Sequence, residues 1–240
     1  MLDLYCCAGG AARGYQRAGF AVMGVDTVPR PTYAGDMFFQ ADALLILGLL
    51  AASRQATMGA RLWTFPQPSL IHASPPCQED NTLTRGTNAS RGWGRQHVQL
   101  VPPTRDLLDA VGLPYVIEQP AGGTMIRRDL RLCMDMFPVV PPRVWRHRDF
   151  ELSGFEVLQP DHPKHHGRVR GWRHSRNYDG DYVAAYGSGG GKATVPEMQH
   201  ALGIDWTDVR EELTEAIPPA YTEHIGRRFM DSLARQGRHG

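Results

Sequence analysis

Short apolar runs alternate along the chain with segments whose apolar residues recur at helical spacing. Buried strands are predicted from four of these runs: residues 1–6, 21–25, 69–74 and 114–117. Helices are predicted between and after them: residues 11–18, 43–52, 103–111 and 195–202, with a further helix that starts near Trp206 in the capping sequence Asp205-Trp206-Thr207-Asp208. This alternation indicates a doubly wound, mainly parallel α/β sheet of the Rossmann-like type.

The hydrophobic pattern changes near residue 150. Residues 158–193 are polar, basic and rich in glycine, and their apolar positions show little periodicity. We therefore predict a main α/β domain at residues 1–150, a small appended region at 151–194, and a C-terminal segment at 195–240 that returns to the main domain. The hydrophobic fraction of 42% over 240 residues is sufficient for one large core.

Composition and charge exclude several classes of function. The formal net charge is +1, so the chain has no overall attraction for polyanions, although residues 143–176 form a local basic segment of the kind that contacts phosphates. The four cysteines form no CxxC motif, and no metal site is expected. The apolar run 43–52 is too short to span a bilayer and no signal peptide is visible, so we expect a reduced, cytoplasmic protein without a membrane partner.

Residue types that suit chemistry follow directly after the predicted strands. Cys7-Ala8-Gly9-Gly10 follows the first strand, Asp26 the second, Pro75-Pro76-Cys77 the third and Glu118 the fourth. Ligands of doubly wound sheets bind beyond the carboxyl ends of the strands, so these groups are expected to meet in one crevice. The glycine-rich turn would bring backbone N–H groups close to a ligand, and Asp26 and Asp42 are placed to bind the ribose and the adenine amine of a nucleoside.

Cys77 stands on a Pro-Pro turn at the start of a long polar segment, residues 78–97. A cysteine beside a ligand crevice is a candidate nucleophile, because a nearby positive charge lowers the pKa of its thiol. The alternative is a buried structural cysteine. Polar loops of this length commonly serve as lids, which favours the nucleophile and predicts that residues 78–97 close over a substrate. Glu118 is the candidate general acid.

Five motifs then follow one another in a recognisable order. They are residues 3–10 (DLYCCAGG), 75–78 (PPCQ), 117–120 (IEQP), 146–150 (RHRDF), and 215–221 (EAIPPAY) with Ile225-Gly226. In order and spacing the chain resembles the DNA cytosine-5 methyltransferase family over nearly its whole length, and its compactness is most similar to orphan methylases of bacteriophages. The resemblance implies an S-adenosylmethionine-dependent methyltransferase fold, a catalytic and cofactor-binding domain at 1–150, and a target-recognition region at 151–194. It also implies a monomeric enzyme that acts on double-stranded DNA in a bacterial host.

The resemblance implies roles for individual residues. Cys77 would attack carbon 6 of a flipped-out cytosine, Glu118 would hold the base and protonate N3, Arg148 would contact the base carbonyl, and Arg146 would support the site. Tyr5 would stack on the cofactor adenine. The implied cofactor-binding residues are Asp3, Tyr5, Cys6, Cys7, Ala8, Gly9, Gly10, Asp26, Thr27, Asp42, Ala43, Pro75, Gln119, Glu215 and Ala216. The residues expected to contact DNA are Gln78, Arg85, Arg91, Arg95, Lys164, Arg168, Arg170 and Arg173.

The chain departs from the family pattern around the group that would be transferred. Cys7 stands where the family has glycine, Gln119 and Pro120 replace its Asn-Val, and Glu215 replaces the usual asparagine of the closing motif. A side chain at position 7 would crowd the methionine moiety of the cofactor or force an L-residue into a conformation suited to glycine. A hypothesis follows that the donor is a carboxylated S-adenosylmethionine and that the transferred group is larger than methyl.

Other interpretations remain open. The same chemistry would serve an RNA cytosine methyltransferase, and a catalytically weak protein that binds and shields DNA is an alternative from another class. His162, His165 and His166 are interpreted as a solvated, phosphate-facing loop rather than a metal cluster. The remaining interpretations are structural: Cys6 and Cys133 as structural thiols, Trp206 and Phe229 as core residues, and residues 186–191 as a flexible connector.

Overall fold

The protein is represented by a computed structural model that describes residues 1–55, 67–76, 99–173, 175–186 and 192–236. The side chains of Arg54, Gln55, Arg173 and Gln236 are not described. Several predicted site residues lie outside the described residues: Cys77, Gln78, Arg85, Arg91, Arg95 and the rest of the predicted lid at 78–97. Among the described residues, no helix has both the length and the apolar character required to cross a membrane.

Strands and helices alternate through most of the chain. The strands are β1 (Leu2–Leu4), β2 (Met23–Asp26), β3 (Met37–Gln40), β4 (Ile71–Ala73), β5 (Tyr115–Pro120), β6 (Leu130–Leu132), β7 (Arg148–Ser153), β8 (Gly171–Arg173) and β9 (Arg176–Tyr178). The α-helices are α1 (Gly10–Arg17), α2 (Ala43–Gln55), α3 (Val101–Val111), α4 (Val195–Leu202), α5 (Arg210–Glu215) and α6 (Pro219–Gln236). A short 3-10 turn, Met134–Met136, follows β6.

Seven of the strands form one sheet in the order β3-β2-β1-β4-β5-β7-β6. Strands β1 to β5 run parallel to one another, whereas β7 runs antiparallel to both β5 and β6. The prediction of a doubly wound, mainly parallel, Rossmann-like sheet is confirmed. The antiparallel β7 was not predicted from the sequence, and it proves decisive for the site.

Each face of the sheet is covered by helices. Leu2 and Leu4 of β1 pack with Leu47 of α2 and Leu108 of α3 on one face. The opposite face carries the larger core, to which α1 and α6 contribute Tyr15, Tyr221, Ile225 and Phe229. Full burial of an aliphatic or aromatic side chain of this size stabilises the fold by roughly 1.5–3 kcal/mol. The two covered faces leave the strand ends as the accessible part of the sheet.

Helix α6 closes the fold by packing on α1 at very short range. Tyr221, Ile225 and Phe229 recur every fourth residue and are all buried, which makes one apolar stripe. At the crossing point, a Cβ atom on Gly14 would lie 2.1 Å from the carbonyl oxygen of Pro219. The hydroxyl of Thr222 donates to the carbonyl oxygen of Ala11 at 2.8 Å and fixes the contact. The absence of a side chain at Gly14 therefore allows the C-terminal helix to dock.

The predicted helix start near Trp206 is wrong. Helix α5 begins at Arg210, and the residue before it, Val209, has an extended backbone and no side-chain cap. The Thr207 hydroxyl accepts a hydrogen bond from the N–H of Val209 at 3.2 Å. Thr207 therefore makes the hydrogen bond expected of a capping residue, but it does so in a turn before the helix. Thr207 also donates to Glu212, which ties this segment to α5 by a tertiary contact.

The appended region is joined to the main sheet by several contacts. Its own sheet is the short antiparallel pair of β8 and β9. Val157, Val183 and Ala185 belong to the larger core, and the N–H of Val183 donates to the carbonyl oxygen of Arg143 at 2.8 Å. The predicted division at residue 150 falls inside β7. The division into three parts stays a prediction.

We expect Gly14→Ala and Gly48→Ala to shift stability in opposite directions. Both glycines lie inside helices, but a Cβ at Gly48 would meet no atom within 4 Å. Gly48→Ala should therefore raise the free energy of unfolding by about 0.5–1 kcal/mol. Gly14→Ala should lower it by about 1–3 kcal/mol, or Tm by roughly 3–10 °C, because α6 must move away. Thermal unfolding followed by circular dichroism measures both, and equal shifts would contradict this account of the α1–α6 contact.

Candidate active site

A cavity of about 980 Å³ opens at the carboxyl edge of the sheet, beside β1 and β4. The chain continues from β1 towards β2 and β3 on one side, and from β4 towards β5 on the other. The loops that leave β1 and β4 therefore diverge and leave a crevice between them. Fifteen of the predicted site residues line it: Asp3, Tyr5, Cys6, Cys7, Ala8, Gly10, Asp26, Thr27, Ala43, Pro75, Glu118, Arg146, Arg148, Glu215 and Ala216.

Three predicted cofactor-binding residues do not line the cavity and instead support neighbours that do. Gly9 precedes α1 with a φ of 82°. The carboxylate of Asp42 accepts the N–H of Leu45 at 2.9 Å and so caps α2. The Gln119 amide donates to the carbonyl oxygen of Pro75 at 2.6 Å and braces the proline turn that precedes Cys77. Asp42 and Gln119 therefore support residues at the cavity without lining it themselves.

Of the residues predicted to contact DNA in the appended region, Lys164, Arg168 and Arg170 do not line the cavity. Lys164 and Arg168 are exposed, and the Arg168 guanidinium lies 5.8 Å from the ring centre of Tyr178. Arg170 forms an ion pair with Glu197 at the start of α4. This pairing leaves Arg168 and Lys164 more accessible to a partner than Arg170.

The turn after β1 is strained and is held from outside. Tyr5 and Cys7 have φ values of 58° and 46°, in the left-handed region that favours glycine. The carbonyl oxygen of Ala8 accepts the indole N–H of Trp206 at 2.8 Å and the N–H of Ala34 at 3.2 Å. Trp206 was expected to be a core residue, and it is partly buried while also fixing this turn. The pattern of the sequence contains no signal for that contact.

Asp26 organises the side of the cavity that adjoins the turn. Its carboxylate accepts the N–H groups of Cys7 at 3.1 Å and Val28 at 2.9 Å, and it forms an ion pair with Arg30 at 3.1 Å. Burial raises the pKa of the Cys7 thiol to about 11, against the opposing effect of Arg30. Cys7 is therefore a protonated thiol at neutral pH and is not an activated nucleophile.

Asp3 presents an unsatisfied carboxylate to the cavity. The residue is 1% exposed, and its Oδ2 atom has no hydrogen-bond partner within the described chain. Burial, together with the nearby charge of Asp26, raises its pKa well above the usual value for an aspartate. A buried polar atom without a partner is costly, so a ligand that carries a cationic or hydrogen-bond-donating group would be stabilised here.

Glu118 and Arg148 meet because β7 is antiparallel to β5. The pairing places Pro120 opposite Arg148, so the start of β7 adjoins the end of β5 at the carboxyl edge. The Arg148 Nε atom lies 2.8 Å from Glu118 Oε1, and Glu118 is 5% exposed. Burial raises the pKa of Glu118, and Arg148 and Arg146 oppose that shift. The result is a buried carboxyl group that is suited to share or donate a proton.

Arg146 is a positioning residue that joins three parts of the chain. Its guanidinium donates to the carbonyl oxygens of Ala185 at 2.9 Å, Thr214 at 2.5 Å and Ala216 at 2.7 Å. Burial and the neighbouring Arg148 lower its pKa, yet the guanidinium is charged at neutral pH. The hydrogen bonds to three carbonyl groups compensate the desolvation of this charge.

A row of hydrogen-bonded side chains runs from α1 towards the cavity and was not anticipated from the sequence. The Tyr15 hydroxyl lies 3.0 Å from His72 Nδ1, and His72 Nε2 lies 2.9 Å from the Ser74 hydroxyl. Ser74 lines the cavity together with Glu118 and lowers the pKa of that carboxyl group. Burial lowers the pKa of His72 to about 3, so the imidazole is neutral. The row therefore supports the cavity wall beside Glu118.

The fold and the cavity define an α/β protein with a ligand site at the switch point of a Rossmann-like sheet. No protein-family model matches the chain. A search of curated proteins also found no match. Among solved structures, the chain is similar to a candidate DNA modification methyltransferase encoded within an E. coli prophage. The TM-score is 0.54 at 12% identity, over 97% of this chain and 99% of that one. This likeness shows that the chain has the Rossmann-like methyltransferase fold.

The buried His72 should make stability depend on pH. Between its unfolded pKa of 6.5 and its folded pKa of about 3, the unfolded chain binds a proton that the folded chain does not. The contribution of His72 to stability is therefore lost as pH falls below 6.5. From pH 7.5 to pH 5, the wild type should lose about 2 kcal/mol more than His72→Gln. Urea unfolding of both chains measures the difference, and a gap that stays constant with pH would refute the prediction.

Proposed function

We propose that this chain is a DNA cytosine-5 methyltransferase that uses S-adenosylmethionine. The observation that carries the proposal is the Glu118–Arg148 pair, 2.8 Å apart, in which Glu118 is buried and both residues line the cavity. Ser74, Pro75 and Pro76, which directly precede Cys77 in the sequence, line the same cavity. Attack on a cytosine ring requires a proton-donating carboxyl group, an arginine and a thiolate nucleophile. The first two line this cavity, and so do the residues that lead to the cysteine in the sequence.

The chemistry on the base would proceed by nucleophilic addition. The Cys77 thiolate forms a bond to carbon 6 of a flipped-out cytosine while the Glu118 carboxyl transfers its proton to N3. Arg148 hydrogen-bonds to the base carbonyl, and Arg146 holds β7 in place through its three carbonyl contacts. Addition at carbon 6 makes carbon 5 nucleophilic. Once carbon 5 is alkylated, its proton is lost to a base, a role that water can fill, and the Cys77 thiolate is expelled. N3 returns its proton to the Glu118 carboxylate, which restores both the ring and the carboxyl group.

The residues around the turn after β1 fit the proposed cofactor. When bound, S-adenosylmethionine supplies the methyl group. The Oδ2 atom of Asp3, which has no partner among the described residues, would accept a hydrogen bond from the cationic amino group of its methionine moiety. Tyr5, whose hydroxyl lies 2.8 Å from that of Thr104, would pack against the adenine. Asp26 and Thr27 line the cavity at the end of β2, where the ribose would bind.

The similarity to a DNA modification methyltransferase supports double-stranded DNA as the substrate class. Lys164 and Arg168, both exposed, are proposed to contact phosphates and to position the duplex. The proposal also includes a target-recognition role for residues 151–194, a monomeric state, a place in the bacterial cytoplasm and kinship with bacteriophage methylases.

A second candidate donor is a carboxylated S-adenosylmethionine, which would give 5-carboxymethylcytosine. Arg30 supports it, because this cation lines the cavity and its charge acts on Cys7. Glu215 opposes it, because its Oε2 atom lies 3.9 Å from the Cys7 sulfur and would repel an added carboxylate. Offering both donors to the purified chain with duplex DNA decides between them, and a product that contains only 5-methylcytosine would exclude the second.

Cells that express the wild-type chain should contain a modified cytosine in their DNA, and cells that express Cys77→Ala should not. The reason is that no bond to carbon 6 can form without the thiolate, so carbon 5 is not activated. Nucleoside mass spectrometry of DNA and of transfer RNA measures both products. A Cys77-dependent product in RNA alone would favour the RNA methyltransferase, and no product in either would favour a protein that binds DNA without catalysis.

Glu118→Gln should lower kcat by about 10²–10⁴-fold, because glutamine keeps the shape but cannot transfer a proton to N3. The affinity for duplex DNA should change by less than about three-fold, since Glu118 contacts the reacting base and not the phosphates. Glu156→Gln, an exposed residue that does not line the cavity, is the matched control. Single-turnover kinetics and a DNA-binding titration provide the two readouts. An unchanged kcat would remove Glu118 from the proposed mechanism.

A further inference from the structure

Four side chains from separate parts of the chain converge on one point beside the active-site edge of the sheet. They are Cys133, which follows β6, His147, which precedes β7, and His162 and His165 of the appended region. Their sulfur and nitrogen atoms all lie within 4.8 Å of one another. His147 Nε2 lies 3.0 Å from His162 Nε2 and 3.3 Å from His165 Nε2, and the Cys133 sulfur lies 3.8 Å from His165 Nε2.

The three separations given above are close to the edges of a tetrahedral coordination shell. Zinc bonds of about 2.0–2.1 Å to nitrogen and about 2.3 Å to sulfur place neighbouring nitrogens roughly 3.3–3.4 Å apart, and sulfur and nitrogen roughly 3.6 Å apart. All three imidazoles present the same atom, Nε2, to the centre. One thiolate and three imidazoles form a borderline-soft ligand set, which favours zinc over calcium or magnesium.

The groups behind the ligands are arranged as in a metal site. His165 Nδ1 lies 2.6 Å from Asp135 Oδ2, which also accepts a hydrogen bond from the Tyr182 hydroxyl. With the proton of His165 on Nδ1, the lone pair of Nε2 points towards the cluster.

We propose that Cys133, His147, His162 and His165 bind one structural Zn²⁺ ion. With four protein ligands the shell is complete, so the ion would have a structural and not a catalytic role. The ion would connect the appended region, through His162 and His165, to the sheet edge that carries Arg146 and Arg148 on either side of His147. Lys164 lies between two of the ligands in the sequence, so the same ion would hold this exposed cation in place.

This inference replaces the expectation that the chain holds no metal. That expectation rested on the lack of a CxxC motif, but here the ligands come from three separate segments that the fold assembles. The sequence contains one weak signal, the spacing His162-x-x-His165. A metal cross-link would add to the core and backbone contacts that already join the small polar region to the sheet, because a region with few apolar residues gains little stability from a core of its own.

Metal analysis of the purified, tag-free, full-length chain tests the proposal without reference to enzyme activity. Mass spectrometry of the metal content should find about one zinc per chain in the wild type. Cys133→Ser and His165→Ala should reduce that content by at least about ten-fold, because removing one of four ligands opens the shell. His166→Ala is the matched control, since this exposed neighbour of His165 is not part of the cluster, and it should keep the metal.

X-ray absorption at the zinc edge of the wild-type protein provides a second test that needs no variant. The proposal requires one sulfur and three nitrogen neighbours at the distances given above. A wild-type chain without zinc, zinc that persists in Cys133→Ser, or a shell without sulfur would each overturn it. If Cys133→Ser fails to fold, the metal content and the absorption spectrum of the wild type still decide. Loss of DNA methylation alone bears on the proposed function and not on the zinc site.

Discussion

The buried guanidinium of Arg146 is the interaction on which the rest of the site depends. A charge removed from water requires compensation, and here the carbonyl oxygens of Ala185, Thr214 and Ala216 accept its hydrogen bonds. Those carbonyls belong to the appended region and to the segment that leads into α6. The Tyr221 hydroxyl of α6 in turn donates to the carbonyl oxygen of Arg146 itself. One side chain thus aligns three segments that are far apart in sequence.

The antiparallel strand β7 brings the side chains of the candidate site together. Because β7 starts where β5 ends, Arg148 lies beside Glu118. His147, between the two arginines in the sequence, lies in the cluster with Cys133, His162 and His165. The segment around the start of β7 therefore contributes both to the Glu118–Arg148 ion pair and to the cluster of one cysteine and three histidines. Tyr15, His72 and Ser74 form a hydrogen-bonded row that runs from α1 to the cavity wall beside Glu118. The polar groups at this edge are linked to one another, which limits how far any one of them can move.

Strain in the turn after β1 is balanced by contacts from distant parts of the chain. Tyr5 and Cys7 have backbone conformations that L-residues rarely adopt, at a typical cost of about 1–3 kcal/mol each. Asp26 accepts the N–H of Cys7, and Trp206 donates to the next carbonyl group, that of Ala8. The unsatisfied Asp3 carboxylate lies in the same part of the cavity. Strain and an unpaired polar group together mark the place where a ligand would contribute most to stability.

Local sequence patterns determined much of the fold. Apolar periodicity identified β1, β2, β4 and β5 and the helices α1 to α4, because strand and helix spacing depend on residues near in sequence. The rule that ligands bind at strand ends brought Asp26, Pro75 and Glu118 to one cavity. The antiparallel direction of β7 was not available from the pattern, since the direction of a strand is decided by its partners and not by its own residues. The start of α5 was predicted wrongly for a related reason, because Thr207 bonds to Glu212 and Val209 rather than capping a helix.

By itself, then, the sequence determined that this protein has a doubly wound sheet and which residue types stand at its carboxyl edge. The tertiary structure alone decided which of those residues act together. In the fold, Glu118 pairs with Arg148, while Gln119 and Asp42 hydrogen-bond to other residues and do not line the cavity. Cys133 lies beside three histidines that are up to 32 residues away in the sequence. The physical reason is that hydrogen bonds, ion pairs and metal ligation act over a few ångströms in space, whereas periodicity reports only the neighbours along the chain.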